Sequence, residues 1–304
     1  MRKYVHTREE DMVIMQPGII APLPKAAWYV EFAVHDIAGL SRVIKTLQTL
    51  VDGERTVVGL GVPLFRALGK DIPGLRVFPT QFGSGLTVPS TPAALWCWLR
   101  AEDRGELFHV ERRLVEQLTP AFTVCESTEG FLYGTGRDLT GYEDGTENPK
   151  GKLAEKAAIV RGQGAMLDGS SYVAVQRWVH DWKRFDEMSD PRHDAMIGRR
   201  RRDNKELATA PTSAHVKRTA QESFQPAAFV LRRSMPWADE HGSGLYFVAF
   251  GASLDPFEAQ LKRMVGADDG IADALFTFTR PVTGSFYWCP PMENGRLNLS
   301  AIGV

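Results

Sequence analysis

Apolar residues recur along this chain at two spacings, and the alternation between them outlines its elements. Ala27-Trp28-Tyr29-Val30-Glu31-Phe32-Ala33-Val34 is rich in aromatic and β-branched residues, which predicts a strand. Asp36 then reads as a helix N-cap, with Ile37, Leu40, Ile44, Leu47 and Val51 on one helical face and Gly53 as the stop. Arg55 to Leu60 is a second strand, and Gly61 to Thr91, rich in Gly and Pro, reads mostly as loop. Ala94 to Arg100 fits a strand or a buried helix by periodicity, and its aromatics favour strand. Asp103 caps a helix carrying Leu107, Val110, Leu114 and Leu118, Pro120 ends it, and Ala121 to Cys125 follows as a strand.

The second half repeats that order. Ser171 to Trp178 is a strand, followed by a short polar helix from Asp181 to Glu187. Ala227 to Arg232 and Leu245 to Phe250 are strands, and Asp255 caps a helix with Pro256 in its first turn and Gly266 at its end. Ser285 to Cys289 closes the set. Two copies of β-α-β-β-α-β define an α+β fold of duplicated ferredoxin-like units with packed antiparallel sheets, the first spanning 1–130 and the second 131–304. The Met1 to Pro24 lead-in, with Pro17, Pro22 and Pro24, reads as extended chain. The polar stretch between Asp186 and Pro226 is too long for a simple connection, which marks it as functional.

Composition narrows the function. With 43% hydrophobic and 24% charged residues the chain has material for a sizeable core. A formal net charge of -1 gives no general attraction to nucleic acid or to acidic membranes. Cys97, Cys125 and Cys289 are scattered and form no C-x-x-C pair, so buried free thiols are expected rather than a disulfide framework or zinc site. The charged start lacks a secretory signal, and no apolar run reaches membrane-helix length, so a soluble cytoplasmic protein is expected. Walker, dinucleotide, G-x-S-x-G and H-E-x-x-H motifs are absent from the sequence.

Three stretches carry candidate chemistry. Gly141-Tyr142-Glu143-Asp144-Gly145-Thr146-Glu147-Asn148-Pro149 has loop composition and reads either as an acidic surface turn or as a site loop whose glycines aim Asp144 at a ligand. Of the histidines, His6 and His35 fall in a tail and at a strand end, His109 on a polar helix face, and His180, His193 and His241 in loops or near helix starts. His215 alone sits in a basic segment of the long insertion, as a surface or core histidine or as a ligand. Arg232 and Arg233 are neighbours on a strand and point to opposite sides, so one faces inward towards an anionic partner unless both are solvated at an edge.

Gly141-x-x-Asp144-Gly145 with Thr146 and Asn148-Pro149, then His215-Val216-Lys217-Arg218-Thr219, then Leu231-Arg232-Arg233-Ser234 follow one another in the order seen in the dye-decolorizing peroxidases, which this chain resembles from Trp28 to about Leu299, most closely in their shorter bacterial branch. The resemblance implies one haem b per chain, held mainly by the second half, with His215 as the iron ligand and an unnamed acid on its other nitrogen. It implies Asp144 as the acid–base group and Arg232 as the stabiliser of developing negative charge, with Gly145, Thr146, Asn148, Ser234 and Arg232 around the cofactor and Glu143 and Glu147 solvated. The implied activity is reduction of hydrogen peroxide and oxidation of dyes, phenols or other one-electron donors through a ferryl haem intermediate. It further implies self-association of the chain. The ending Ser300-Ala301-Ile302-Gly303-Val304 carries no visible nanocompartment-targeting tail. Two other readings of the same residues are a non-enzymatic haem-binding, haem-delivery or iron-release protein, and a hydrolase in which Asp144 belongs to a metal or phosphate loop.

Overall fold

A computed structural model describes residues 14–303, so the expectations for His6 and for the first half of the lead-in lie outside the described residues. The first half contains β1 (Ala26–Val34), α1 (Leu40–Leu50), β2 (Thr56–Gly61), α2 (Val62–Ala67), the hairpin β3 (Gln81–Gly83) and β4 (Leu86–Val88), β5 (Leu95–Ala101), α3 (Arg104–Leu118) and β6 (Phe122–Phe131). After the site loop come α4 (Lys152–Ala158), β7 (Ser171–His180), α5 (Trp182–Asp186), α6 (Asp190–Ile197) and α7 (His215–Arg218). The chain continues through β8 (Leu231–Arg232), β9 (Met235–Asp239), β10 (Gly242–Gly251), α8 (Asp255–Met264), β11 (Thr279–Pro281), β12 (Ser285–Cys289), β13 (Met292–Glu293) and β14 (Arg296–Leu297).

Strand pairing reveals the duplication. In the first unit β2, β5, β1 and β6 lie side by side, the order 2-3-1-4 of a ferredoxin-like sheet. In the second, β12 and β11 share one edge of β7, β10 lies on its other side, and β9 and β8 share the far edge of β10, which gives the same order. The sheets also join edge to edge. Tyr287 and Trp288 of β12 pair with Gly61 and Leu60 of β2, and Gly130 of β6 pairs with Trp237 of β9. Together with the β7–β10 pairing this closes a ring, so the two units share one antiparallel 10-stranded sheet.

The ring explains the apolar runs. Tyr29, Trp96, Trp98, Val173, Val175, Tyr246, Val248, Phe250 and Tyr287 point inward and form one core. Their neighbours Val30, Leu95, Cys97, Ala174, Ala249, Phe286 and Trp288 point outward and pack with Leu40, Ile44, Leu107, Leu114, Phe257 and Leu261 from the helices. A strand buried on both faces loses the polar half of its alternation. That is why Leu95 to Arg100 resembled a buried helix, and burial of every residue from Leu95 to Arg100 resolves it as strand.

Local differences from the sequence reading have simple causes. Asp36 accepts from the N–H groups of Ala38 and Gly39, but its turn precedes a helix that starts at Leu40 and leaves Ile37 65% exposed. Gly61 to Thr91 is mostly loop, as read, but it also carries α2 and the β3–β4 hairpin. Pro63 seats in the first turn of α2, and β3–β4 pairs over a turn at Ser84-Gly85. Ala227 to Arg232 pairs only at its end, and the strand resumes at Met235. Asp255 is the first residue of α8 rather than its cap. Cys125 is exposed, while Cys97 and Cys289 are buried. Among the described residues no helix is long and apolar enough to cross a membrane.

Candidate active site

A cavity of about 920 Å³, counting its open mouth, lies on the outer face of the second sheet. Gln176, Trp178 and His180 of β7 and Leu245 and Phe247 of β10 form one wall, because residues two apart on a strand share a face. Phe257, Gln260, Leu261 and Met264 of α8 face them, and the site loop, the insertion, Arg232 and the segment 275–279 supply the remaining walls. Every lining residue belongs to the second half of the chain.

The site loop is built by its own backbone. The Asp138 side chain accepts from the N–H and hydroxyl of Thr140, and the Asp138 N–H bonds to the Tyr142 carbonyl. The Asp144 N–H then returns to the carbonyl of Gly136 at 3.0 Å. Gly141 and Gly145 adopt φ of 87° and 72°, a region that side chains resist. Asp144 is thereby presented to the cavity, with Oδ1 accepting the Gly145 N–H at 2.7 Å and lying 3.3 Å from Nη2 of Arg232.

Arg232 is fixed through its backbone. The Asn148 amide accepts the Arg232 N–H at 2.8 Å and donates to its carbonyl at 2.9 Å. Both Asn148 groups are consumed by this clamp, so Asn148 lies behind the cavity wall. Thr146 accepts from the Asn204 amide and Ser234 from the Val248 N–H, and neither lines the cavity. Arg233 points the other way. Its guanidinium donates to the carbonyls of Ile19 and Ile20, and burial pulls it down to about 10. The inward arginine opposite Arg232 is thus satisfied by carbonyls rather than by an anion.

His215 opens α7 and also lines the cavity. Its Nδ1 lies 2.7 Å from Oδ2 of Asp273, whose side chain has 0% exposure. The other Asp273 oxygen accepts the Leu275 N–H at 2.9 Å, so this one residue both caps a helical turn and holds the imidazole. Engagement of Nδ1 leaves Nε2 as the nitrogen available to a ligand.

Sequence reasoning left out Asp273, Asp138 and His180. His180 is the buried last residue of β7, just ahead of the start of α5. It bonds Asp138 at 3.0 Å and Thr279 at 2.7 Å along the cavity edge. Burial pulls the Asp138 carboxyl up, but His180 and Thr140 outweigh it and hold the group below its usual value. The Asp-x-Thr pattern of Asp138-Leu139-Thr140 was a usable signal for this turn. His193 is in α6, buried and stacked on Phe185. Glu147 is solvated, with its side chain 65% exposed, whereas Glu143 is largely covered. Glu143 is held at 2.9 Å by Arg137 and at 2.7 Å by Thr135, and Glu147 pairs with Arg199.

The residues present suit a metal carried in a macrocycle. Broad apolar walls fit a flat ring, and such a metal needs only one protein nitrogen. Among the described residues no group of three or more His, Cys, Asp or Glu comes together to hold a bare metal ion.

Comparisons with known proteins agree. The Dyp-type peroxidase, C-terminal family model matches residues 135–294. A dye-decolorizing peroxidase of Rhodococcus erythropolis is 31% identical, covering 92% of this chain and 87% of the relative. A Dyp-type peroxidase protein from Shewanella oneidensis superposes with a TM-score of 0.84 at 26% identity, covering 96% of this chain and 98% of that one. An arginine-to-leucine variant of DypB from Rhodococcus jostii RHA1, solved in complex with heme, superposes at 0.79 with 26% identity over 90% of this chain and 94% of that one. The chain belongs to the dye-decolorizing peroxidase family.

Proposed function

We propose that this protein binds one haem b in the cavity through His215 and reduces hydrogen peroxide while oxidising dyes, phenols or other one-electron donors. The observation that carries the reading is the meeting of two pairs, His215–Asp273 and Asp144–Arg232, at one apolar cavity. The family membership and the heme complex of the Rhodococcus jostii relative support it.

Each residue then has a definite task. His215 donates Nε2 to the iron, while Asp273 fixes the ring's tautomer and orientation and strengthens it as a donor. Asp144 accepts the proton from one peroxide oxygen and hands it to the other. Arg232 stabilises the negative charge that grows on the departing oxygen. Asn148 holds Arg232 in place through its backbone, and Gly145 orients Asp144 through its N–H. Bound haem supplies the redox chemistry, taking up two oxidising equivalents and passing them on one electron at a time.

The test is to add peroxide to haem-loaded protein and follow both the haem absorption and the oxidation of a dye or phenol. A rapid spectral change with turnover is expected. A stable haem band that ignores peroxide would instead favour haem storage or delivery.

A further inference from the structure

One buried donor on the cavity wall has no partner in the protein. Gln176 of β7 is 1% exposed and lines the cavity. Its Oε1 accepts the Nε1–H of Trp178 at 3.3 Å, while its Nε2 bonds to no protein atom. An indole nitrogen can only donate, so the amide oxygen must be the atom that faces Trp178, and this fixes the orientation of the amide. Other side-chain nitrogen and oxygen atoms are buried without partners among the described residues, but none of them belongs to a residue that lines the cavity. Gln260, the other amide in the lining, donates its Nε2 to the Ala228 carbonyl at 2.7 Å. A buried amide N–H is costly to leave unpaired, so the partner of Gln176 is sought in what the cavity binds.

The strand register puts this donor on the side of Asp144 and Arg232. Arg232 pairs with Ala249 of β10, and Ala249 pairs with Ala174 of β7. Phe247 and Gln176 pair with each other two residues along from Ala249 and Ala174, and so share their face of the sheet. Two strand spacings and two residues set the Cα atoms of Arg232 and Gln176 roughly 12 Å apart. The two side chains therefore approach the cavity from either side of Phe247. His215 comes from α7, which packs on α8, the opposite wall. Gln176 thus belongs to the wall of the peroxide chemistry and not to that of the histidine.

We propose that Gln176 is a ligand-binding residue of the peroxide side, whose Nε2 donates a hydrogen bond to the oxygen or small anion held there beside Asp144 and Arg232. The proposal rests on the haem-peroxidase reading. Because Oε1 is committed to Trp178, Gln176 can only donate to such a ligand. It therefore favours good acceptors, such as peroxide, hydroxide and fluoride, over ligands with weak lone pairs. The amide carries no charge and does not titrate, so it holds an acceptor in place without competing for the proton that Asp144 moves.

The test is the affinity of haem-loaded protein for two probes, fluoride on the ferric form and carbon monoxide on the ferrous form, each titrated by absorption. Fluoride is a strong hydrogen-bond acceptor and carbon monoxide a weak one. Gln176→Met keeps the length of the side chain, and its sulfur remains a weak acceptor for Trp178, whereas Gln176→Leu removes both functions. In both variants fluoride affinity is expected to fall by about 10-fold or more, the loss of one hydrogen bond to a charged acceptor, while carbon monoxide affinity stays unchanged. Unchanged fluoride affinity in haem-loaded Gln176→Met overturns the proposal, as does haem-loaded native protein that takes up no fluoride. An equal loss of both ligands in both variants also overturns it, since that marks a general disturbance of the wall. Absence of any haem band in native protein overturns this proposal and the haem reading together, so the absorption record tells the two failures apart.

Discussion

Nδ1 of His215 and Oδ2 of Asp273 lie 2.7 Å apart, and the carboxylate that makes this contact is fully buried. A buried acid with one oxygen on a backbone N–H and the other on an imidazole is committed to that imidazole. Asp273→Asn is expected to weaken haem retention by roughly 10–100-fold, the range seen when the partner of a metal-bound histidine is lost. Haem titration of the apoprotein checks this, and it should also show a raised iron reduction potential because the ring becomes a weaker donor.

Arg232→Leu removes the positive group 3.3 Å from Asp144. The rate constant for reaction with peroxide is expected to fall by roughly 10²–10³-fold, with haem still bound. Asp144→Asn keeps the shape but not the proton acceptor, and a loss of roughly 10²-fold or more is expected. Stopped-flow absorption at varied peroxide concentration measures both.

Asn148→Ala breaks both part-buried bonds to the Arg232 backbone, taking the side-chain acceptor from its N–H and leaving its carbonyl to the 3.2 Å bond from the Arg233 guanidinium. A stability loss of about 1–3 kcal/mol is expected in urea unfolding. The peroxide rate should fall as well, although Asn148 does not reach the cavity.

Glu31 gives the fold a pH dependence. It sits inside the strand ring, where Tyr246 at 3.0 Å, Tyr287 at 2.6 Å and Ser285 at 3.3 Å donate to it. Burial pushes it from 4.5 up to about 7, against the opposing pull of these donors. The native state thus binds this proton more tightly than the unfolded chain, so the group's contribution is complete below the unfolded value and is lost as pH rises through the folded one. Unfolding midpoints are expected to drop between about pH 5 and about pH 8, and Glu31→Gln is expected to flatten that slope.

How far the sequence could be read depended on locality. The duplicated element order was legible because each strand and helix announces itself within a few residues. The closed ring was not, because the pairing of Leu60 with Trp288 and of Gly130 with Trp237 joins distant segments that share no pattern. The loop around Asp144 stood out through its glycines. Asp273 did not, since an acid before Ala274-Leu275 looks like an ordinary cap, which it also is. His180 ends an apolar strand, and nothing along the chain shows that Asp138 folds back to meet it.

The central claim is that His215 holds a haem in this cavity. Titration of haem into purified apoprotein, followed by absorption, tests it most directly when native protein and His215→Ala are run side by side. The native chain is expected to bind one equivalent with a sharp Soret band, and the variant to lose that band or show a changed iron spectrum. Full occupancy of His215→Ala with an unchanged spectrum would contradict the assignment, and a native chain that binds no haem would contradict the account as a whole.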